Sequence, residues 1–390
     1  MKRKWTAVTI LSVLFISLAL VIVSQQPPPT PLDRLPRNRP PILIDGDTDF
    51  DAEHGVVGGS GTISDPYFIE GWQIDASLNC PERSCTGITV RNANTSFVIR
   101  NVSIRGGSYD NGIWFFDVKN AWLENVSVAS GGDGISIAAS TNVTIFANVV
   151  VGADQGILVT RSHDVWVRAS NISHGTQGIV AKDSFRITLI DNILNGNKAN
   201  GLLFSHITNS TVEGNTITET SFRGMALFDS SDILADRNRI IGSGEECLYV
   251  ARGGRTSIIR NQISNCTWAG VSVLKSDENI VKDNFVAGTP SGVVLYDSSE
   301  NLIVSNTVTD TGWGITVASD SDANFIAKNT VSRSSSVGIL LTGDDDHTPD
   351  RNVIQGNGVS QSGKADLLDS SDGTDNLWRF NKYEEEMPST

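Results

Sequence analysis

The chain has 390 residues, 19% of them charged, and a formal net charge of -14, which would repel a phosphate backbone and excludes nucleic-acid binding as the expected role. A hydrophobic share of 39% with 36 glycines fits many tight turns around a continuous core and excludes a disordered chain. A chain this long would ordinarily divide into two or three domains, unless it is a repeat array whose units pack only on their neighbours.

Lys2, Arg3 and Lys4 precede an uncharged stretch from Trp5 to Val23. A basic start followed by an apolar run reads as a signal peptide or signal anchor over residues 1–24. The run approaches the ~20 residues that cross a bilayer, and no Ala-x-Ala site follows, which favours an anchor with the remainder outside. Residues 25–41 hold seven of the chain's 12 prolines and read as a stiff linker. Asp45, Asp47, Asp49 and Asp51 then alternate as in a calcium loop, but Phe50 stands where the turn glycine belongs and Val56 where the bidentate glutamate belongs.

Glycines recur at 112, 134, 156, 178, 201 and 224, then at 270, 292, 314 and 338, with Cys247 in the vacant slot. In the Gly134 unit, Ile135 and Ile137 alternate with Ser136 and Ala138, Val143 and Ile145 repeat this, and a third apolar strand follows Asn148. Three short strands per unit of nearly constant length describe an all-β fold, a single-stranded right-handed parallel β-helix over residues 42–383, each turn ~4.8 Å above the last. A leucine-rich-repeat solenoid is the rival at this period, but it needs Leu-x-x-Leu-x-Leu spacing, and Ile and Val dominate here. Asn101, Asn125, Asn148, Asn171, Asn192, Asn215, Asn238, Asn261, Asn284, Asn306 and Asn329 occupy nearly one slot and read as an inward amide ladder. A patchier column runs through Asn120, Asn142, Asn209, Asn279, Asn301 and Asn324. Glycosylation sequons at Asn101, Asn125, Asn142, Asn171 and Asn209 are then expected to point inward, with Asn265 more accessible. Tyr67–Ile69 and Trp72–Ile74 supply bulky first rungs, Leu377–Phe380 a closing strand, and residues 384–390 an acidic tail.

Gly59-Ser-Gly-Thr62, Asp65-Pro-Tyr67, Ile69-Glu-Gly-Trp72, Gly87-Ile88 and Phe97-Val-Ile-Arg-Asn101 resemble secreted right-handed β-helix proteins of a type common in archaea, the NosD-like or CASH repeat proteins of the pectin-lyase-like superfamily. The resemblance spans nearly all of Pro41 to Tyr383 and implies fold rather than activity, since such folds host lyases, hydrolases, epimerases and adhesins. The NosD name implies copper, yet five histidines and three methionines form no clustered soft-ligand site. Polygalacturonase-type relatives carry Gly-His-Gly and Arg-x-Lys, whereas here His174-Gly175 follows Ser173 and no Arg-x-Lys occurs. Epimerase-type relatives carry Asp-Pro-His-Asp, where this chain has Asp65-Pro66-Tyr67, so no family catalytic residue carries over.

Outward positions of the first strand carry Trp114, Phe116, Phe228, Tyr249 and Tyr296, with Leu158, Leu203 and Leu274 on the same face. Aromatics beside a flat sheet suit sugar rings, which points to a polysaccharide or cell-surface glycan or protein as partner; the bland alternatives are a covered face or an adhesive patch. The next position reads Asp117, Ala139, Arg161, Asp183, His206, Asp229, Arg252, Lys275 and Asp297, a column whose opposite charges should pair. The sharper reading is a catalytic site at His206, Asp229 and Arg252, with Glu246 nearby, processing acidic glycans by lyase, hydrolase or epimerase chemistry. Cys80 with Cys85 and Cys247 with Cys266 read as two disulfides, buried free thiols being the alternative. Asp344, Asp345 and Asp346 form a loop that could hold calcium; no other cofactor is expected. The chain thus reads as an extracellular β-helix, secreted or anchored by its N-terminal segment, that binds carbohydrate or a cell surface, with a structural scaffold or adhesin as a further alternative.

Overall fold

The computed structural model describes residues 37–78, 85–106, 109, 111–343 and 346–384. The chain winds into a right-handed parallel β-solenoid of about 13 turns, with three strands in a typical turn. Among the described residues there is one 3-10 turn, Asp47–Asp49, and no α-helix. In the turn that opens at Gly134, the first face is Ile135–Ala138, the second Thr141–Phe146 and the third Val149–Val151. Third-face strands stack into one 14-stranded sheet that begins with Arg37–Arg39, inside the stretch assigned to the linker, and ends with Gly358–Ser360. The expected signal or anchor segment lies outside the described residues. No described helix is long and apolar enough to cross a membrane.

Register explains the repeat. Ile135 pairs with Ile113 below and Ile157 above, so every inward side chain stacks on its equivalent. The resulting core is a continuous column of Ile, Val, Leu and Phe, all but inaccessible to water. Each such side chain contributes roughly 1.5–3 kcal/mol on burial. The recurrent glycines are a packing demand. A Cβ at Gly156 would overlap Ile172 of the third face and lie 2.6 Å from the Gly178 carbonyl oxygen of the next turn. Cys247 occupies this slot by bonding to Cys266, the inward residue that follows the third face, with Cα atoms 5.6 Å apart.

Corners are made by residues in the left-handed region. One follows the first face (Ala139, φ 50), one lies near the start of the second (Asn142, φ 57) and one follows it (Ala147, φ 54). After Ala139 and Ala147 an inward polar residue, Ser140 or Asn148, takes up the freed backbone groups. Ser140 accepts from the Val118 amide at 3.1 Å and donates to the Ala138 carbonyl at 2.7 Å. At the second corner the residues are Asn148, Asn192, Asn215, Asn238, Asn261, Asn284, Asn306, Asn329 and Asn357, all buried.

This geometry corrects part of the asparagine reading. Asn101 (φ 53) and Asn125 (φ 51) are the left-handed residues themselves, exposed, one place before the buried slot. Asn171 lies one place after it, behind Ser170, and is also exposed. Asn142 and Asn209 are likewise exposed left-handed residues, whereas Asn279, Asn301 and Asn324 follow the left-handed position and are buried. The five sequon asparagines therefore point outward. A one-residue offset at a corner reverses a side chain's direction, and near-constant spacing hides such offsets.

The ends are closed by different devices. Phe50 stacks on Tyr67 with centroids 5.0 Å apart and abuts Phe97 at 5.3 Å, sealing the first turns with aromatic surface. The four alternating aspartates serve this end: Asp45 binds Arg91 and Asn92, Asp47 accepts from the amides of Asn94 and Thr95, Asp49 accepts from the Asp45 amide, and Asp51 binds His54. At the other end Leu377–Arg379 pairs with Val353–Gln355, and Trp378 packs against the core.

Candidate functional site

The first face and its two bordering corners carry a cluster of aromatic and charged groups. Phe228 and Tyr249 project from adjacent turns with ring centroids 5.4 Å apart and planes tilted by 59°. Arg252 forms a two-pronged pair with Asp229, both bonds 2.9 Å, and its guanidinium lies 5.5 Å from the Phe228 ring centroid. The Arg252 guanidinium holds the Asp229 carboxyl below its ordinary range, and Asp229 in turn raises Arg252. His206 is largely solvent-exposed and 3.7 Å from Asp183, the carboxylate below it.

The structure therefore brings Asp229 and Arg252 together as an ion pair and places His206 with Asp183. Arg252, bound on both prongs and made less acidic, has no deprotonated form with which to abstract a proton. The charged column pairs as its alternation implies, with Lys275 and Asp297 3.9 Å apart. Tyr249 was expected to be exposed but is buried to 8% of its surface, because Arg223 covers it at 4.2 Å. Burial raises its phenol and keeps the hydroxyl protonated at neutral pH. Trp114 and Phe116 form a second pair, centroids 5.9 Å apart, five to six turns towards the N-terminal end, or roughly 24–29 Å at the inter-strand spacing. Tyr296 is exposed three turns beyond Phe228. Leu158, Leu203 and Leu274 lie on the same face, half-buried.

Sequence reasoning missed the third corner. From Gly112 to Cys247 the residue before the glycine slot forms a planar polar column of Asn111, Asp133, Gln155, Gln177 and Asn200, followed by Arg223 and Glu246. Asn200 donates to Gln177 at 3.2 Å and Gln155 to Asp133 at 3.4 Å. Arg223 binds Glu246 at 2.7 Å and Glu245 at 3.0 Å and lies over Phe222 at 4.5 Å. Asp133 is shifted upward by burial and by the nearby Asp154 charge. Beside this column an open depression of 430 Å³ is lined by Tyr109, Asp154, His174 and Lys198. Exposed Phe222, Trp268 and Trp313 continue the aromatic border towards the C-terminal end. Reading the slot before each glycine, as the slots after it were read, would have found this column.

Cys247 and Cys266 form a disulfide; Cys85 is also disulfide-bonded, and Cys80 lies outside the described residues. Asp344 and Asp345 lie outside the described residues too. Among the described residues no group of three or more His, Cys, Asp or Glu side chains could hold a metal ion.

Residues 88–267 match the family model described as periplasmic copper-binding protein (NosD), and residues 206–359 match that of the right-handed β-helix region. Among the described residues the donors do not assemble a copper site: Cys247 and Cys266 are consumed in a disulfide, Met225 is fully buried in the core, and His163 and His206 each face an aspartate. No curated protein matches in sequence. Among solved structures, the periplasmic alginate epimerase AlgG is 15% identical over 82% of this chain and 85% of its own, with a TM-score of 0.58. The A-module of the mannuronan C-5 epimerase AlgE6 of Azotobacter vinelandii is 16% identical over 82% and 91%, with a TM-score of 0.55. PfbA, a surface adhesin of Streptococcus pneumoniae, is 14% identical over 64% and 80%, with a TM-score of 0.50. At these identities the likeness is one of fold. The chain is a right-handed parallel β-helix repeat protein.

Proposed function

We propose that this protein binds polysaccharide outside the cytoplasm, along the first face, with the N-terminal segment exporting or anchoring it. The observation that carries the reading is the cluster of Phe228, Tyr249, Arg223 and Arg252. Aromatic surface there lies beside guanidinium, carboxylate and phenol groups, the combination that receives the apolar face and hydroxyls of a sugar ring. Trp114 and Phe116 repeat the aromatic element farther along the axis, so a chain molecule rather than a single sugar fits the face. The polar border from Asn111 to Glu246 offers hydrogen-bonding groups on successive turns of that stretch. Fold relatives point the same way, since one is by name an alginate epimerase, one a mannuronan epimerase and one a surface adhesin.

A glycan array followed by titration calorimetry tests this. Each stacking aromatic is worth about 0.5–1.5 kcal/mol beyond its buried area, so Phe228→Ala should weaken the best glycan by roughly two- to twelvefold. Silence across the array would remove the reading. Release of unsaturated or shortened products from uronate polymers would replace it with an enzyme.

A further inference from the structure

On the corner between the first and second faces, away from the aromatic cluster, three side chains form an uninterrupted hydrogen-bond relay. The Thr141 hydroxyl lies 2.9 Å from Nε2 of His163, and Nδ1 of His163 lies 2.9 Å from Oδ2 of Asp164. Thr141 and His163 are paired neighbours on successive turns. Asp164 is a left-handed corner residue (φ 54), which turns its carboxylate back beside the imidazole. The geometry points to a hydroxyl nucleophile, general base and orienting carboxylate: we propose that Thr141, His163 and Asp164 hydrolyse carboxylic esters through an acyl-threonine.

The proton positions support those roles. Nδ1 of His163 has two neighbours, Asp164 Oδ2 at 2.9 Å, which only accepts, and Arg186 Nη2 at 3.2 Å, which only donates; the nearer Asp164 is taken as the partner, with the ring hydrogen on Nδ1 and the Nε2 lone pair facing the Thr141 hydroxyl. Arg186 binds both oxygens of Asp164, at 2.6 and 2.7 Å, and holds its carboxyl down to about 2, so it is ionised throughout the working range. Phe185 stacks on His163 with centroids 4.7 Å apart and fixes the ring plane from the opposite side. Lys119 pairs in register with Thr141 on the turn below, ~4.8 Å away along the axis, which sets a cationic residue beside the hydroxyl. The imidazole is about one-third exposed, so an ester can reach it.

In the first step Thr141 Oγ bonds to the acyl carbon while His163 Nε2 takes the hydroxyl proton. The C–O bond to the alcohol breaks, and His163 returns the proton to the departing oxygen. Water then attacks the acyl-threonine, giving its proton to His163. The carboxylic acid leaves, and the proton restores Thr141. No oxidant or further co-reactant is required.

The full chain is assayed with p-nitrophenyl acetate, and acid-quenched samples are mapped by peptide mass spectrometry. The expected result is nitrophenolate release with one acetyl group on the peptide bearing Thr141. His163→Ala should lower the rate by about 10²–10⁴-fold, the range for a lost general base. Thr141→Val, which keeps the side-chain shape, should abolish acetylation, and Thr141→Ser should restore it. Melting curves of the variants separate unfolding from lost chemistry. Absence of turnover in the wild type, or a Thr141→Val rate equal to wild type, would overturn the assignment. Neither result bears on the glycan-binding face, whose residues are different.

Discussion

Asn238→Ala isolates the inner amide ladder. The Asn238 side chain is 1% exposed and makes four hydrogen bonds. It donates to the Val212 carbonyl at 2.8 Å and to Asn261 Oδ1 at 3.0 Å, and it accepts from the Asn215 backbone amide at 2.9 Å and side-chain amide at 3.0 Å. Two of those partners keep other bonds: Asn261 Oδ1 retains the Asn238 amide, and Asn215 Nδ2 retains the Leu189 carbonyl. The Val212 C=O lies in a strand paired on both sides, which leaves the Asn215 N–H as the group that loses its acceptor. A buried polar group left unpaired costs about 1–3 kcal/mol, so the substitution should destabilise by about that much, with a trapped water moving it to the lower end. Because each turn packs only on its neighbours, the loss should be local. Hydrogen exchange should accelerate most between Val212 and Asn261, and the denaturation midpoint should fall. Asn209→Asp is the control, since that asparagine faces solvent, aspartate tolerates its left-handed backbone, and the change should alter stability by no more than about 0.5 kcal/mol. Equal midpoints for the two variants would refute the ladder's role.

Three further outcomes follow from the same geometry. Gly156→Ala should cost about 1–3 kcal/mol through overlap with Ile172 and the Gly178 carbonyl, read as a lower melting temperature; a neutral result would mean the turns can spread. Asp133 has a folded pKa raised above that of the unfolded chain, so in that window the folded state holds more protons and stability falls as pH rises. Asp133→Asn should therefore be the more stable form at neutral pH in denaturant titrations. Asp164 is the opposite case: its folded value of about 2 lies below the ordinary 3.8, so its contribution is present above that ordinary value and is lost as pH falls through about 2. Acid unfolding of Asp164→Asn should be shallower than wild type across that interval.

The coil was legible because its determinants are local and repeated. A glycine where two turns touch and alternating aliphatics in three short strands leave few other architectures. What sequence spacing could not resolve was the phase of each corner. Asn125 and Asn148 are 23 residues apart and look equivalent, yet one is an exposed left-handed residue and the other its inward successor. The aromatic face was legible in part, since Phe228 and Tyr249 fall at outward strand positions. Their covering was not, because Arg223 belongs to a corner slot whose identity changes from amide to guanidinium only there. The relay of Thr141, His163 and Asp164 was invisible for another reason. Its hydroxyl and its imidazole are 22 residues apart and meet only through the register of stacked turns.

The measurement that bears most directly on the proposed role is calorimetric titration of the leading array glycan into wild type and the Phe228→Ala, Tyr249→Ala double variant. The account predicts saturable binding by the wild type and a loss of about 1–3 kcal/mol in the double variant, roughly five- to 150-fold in Kd, measured well below a melting temperature that the loss of buried Tyr249 lowers. Equal affinity in the two proteins, or no glycan bound by the wild type, would contradict it.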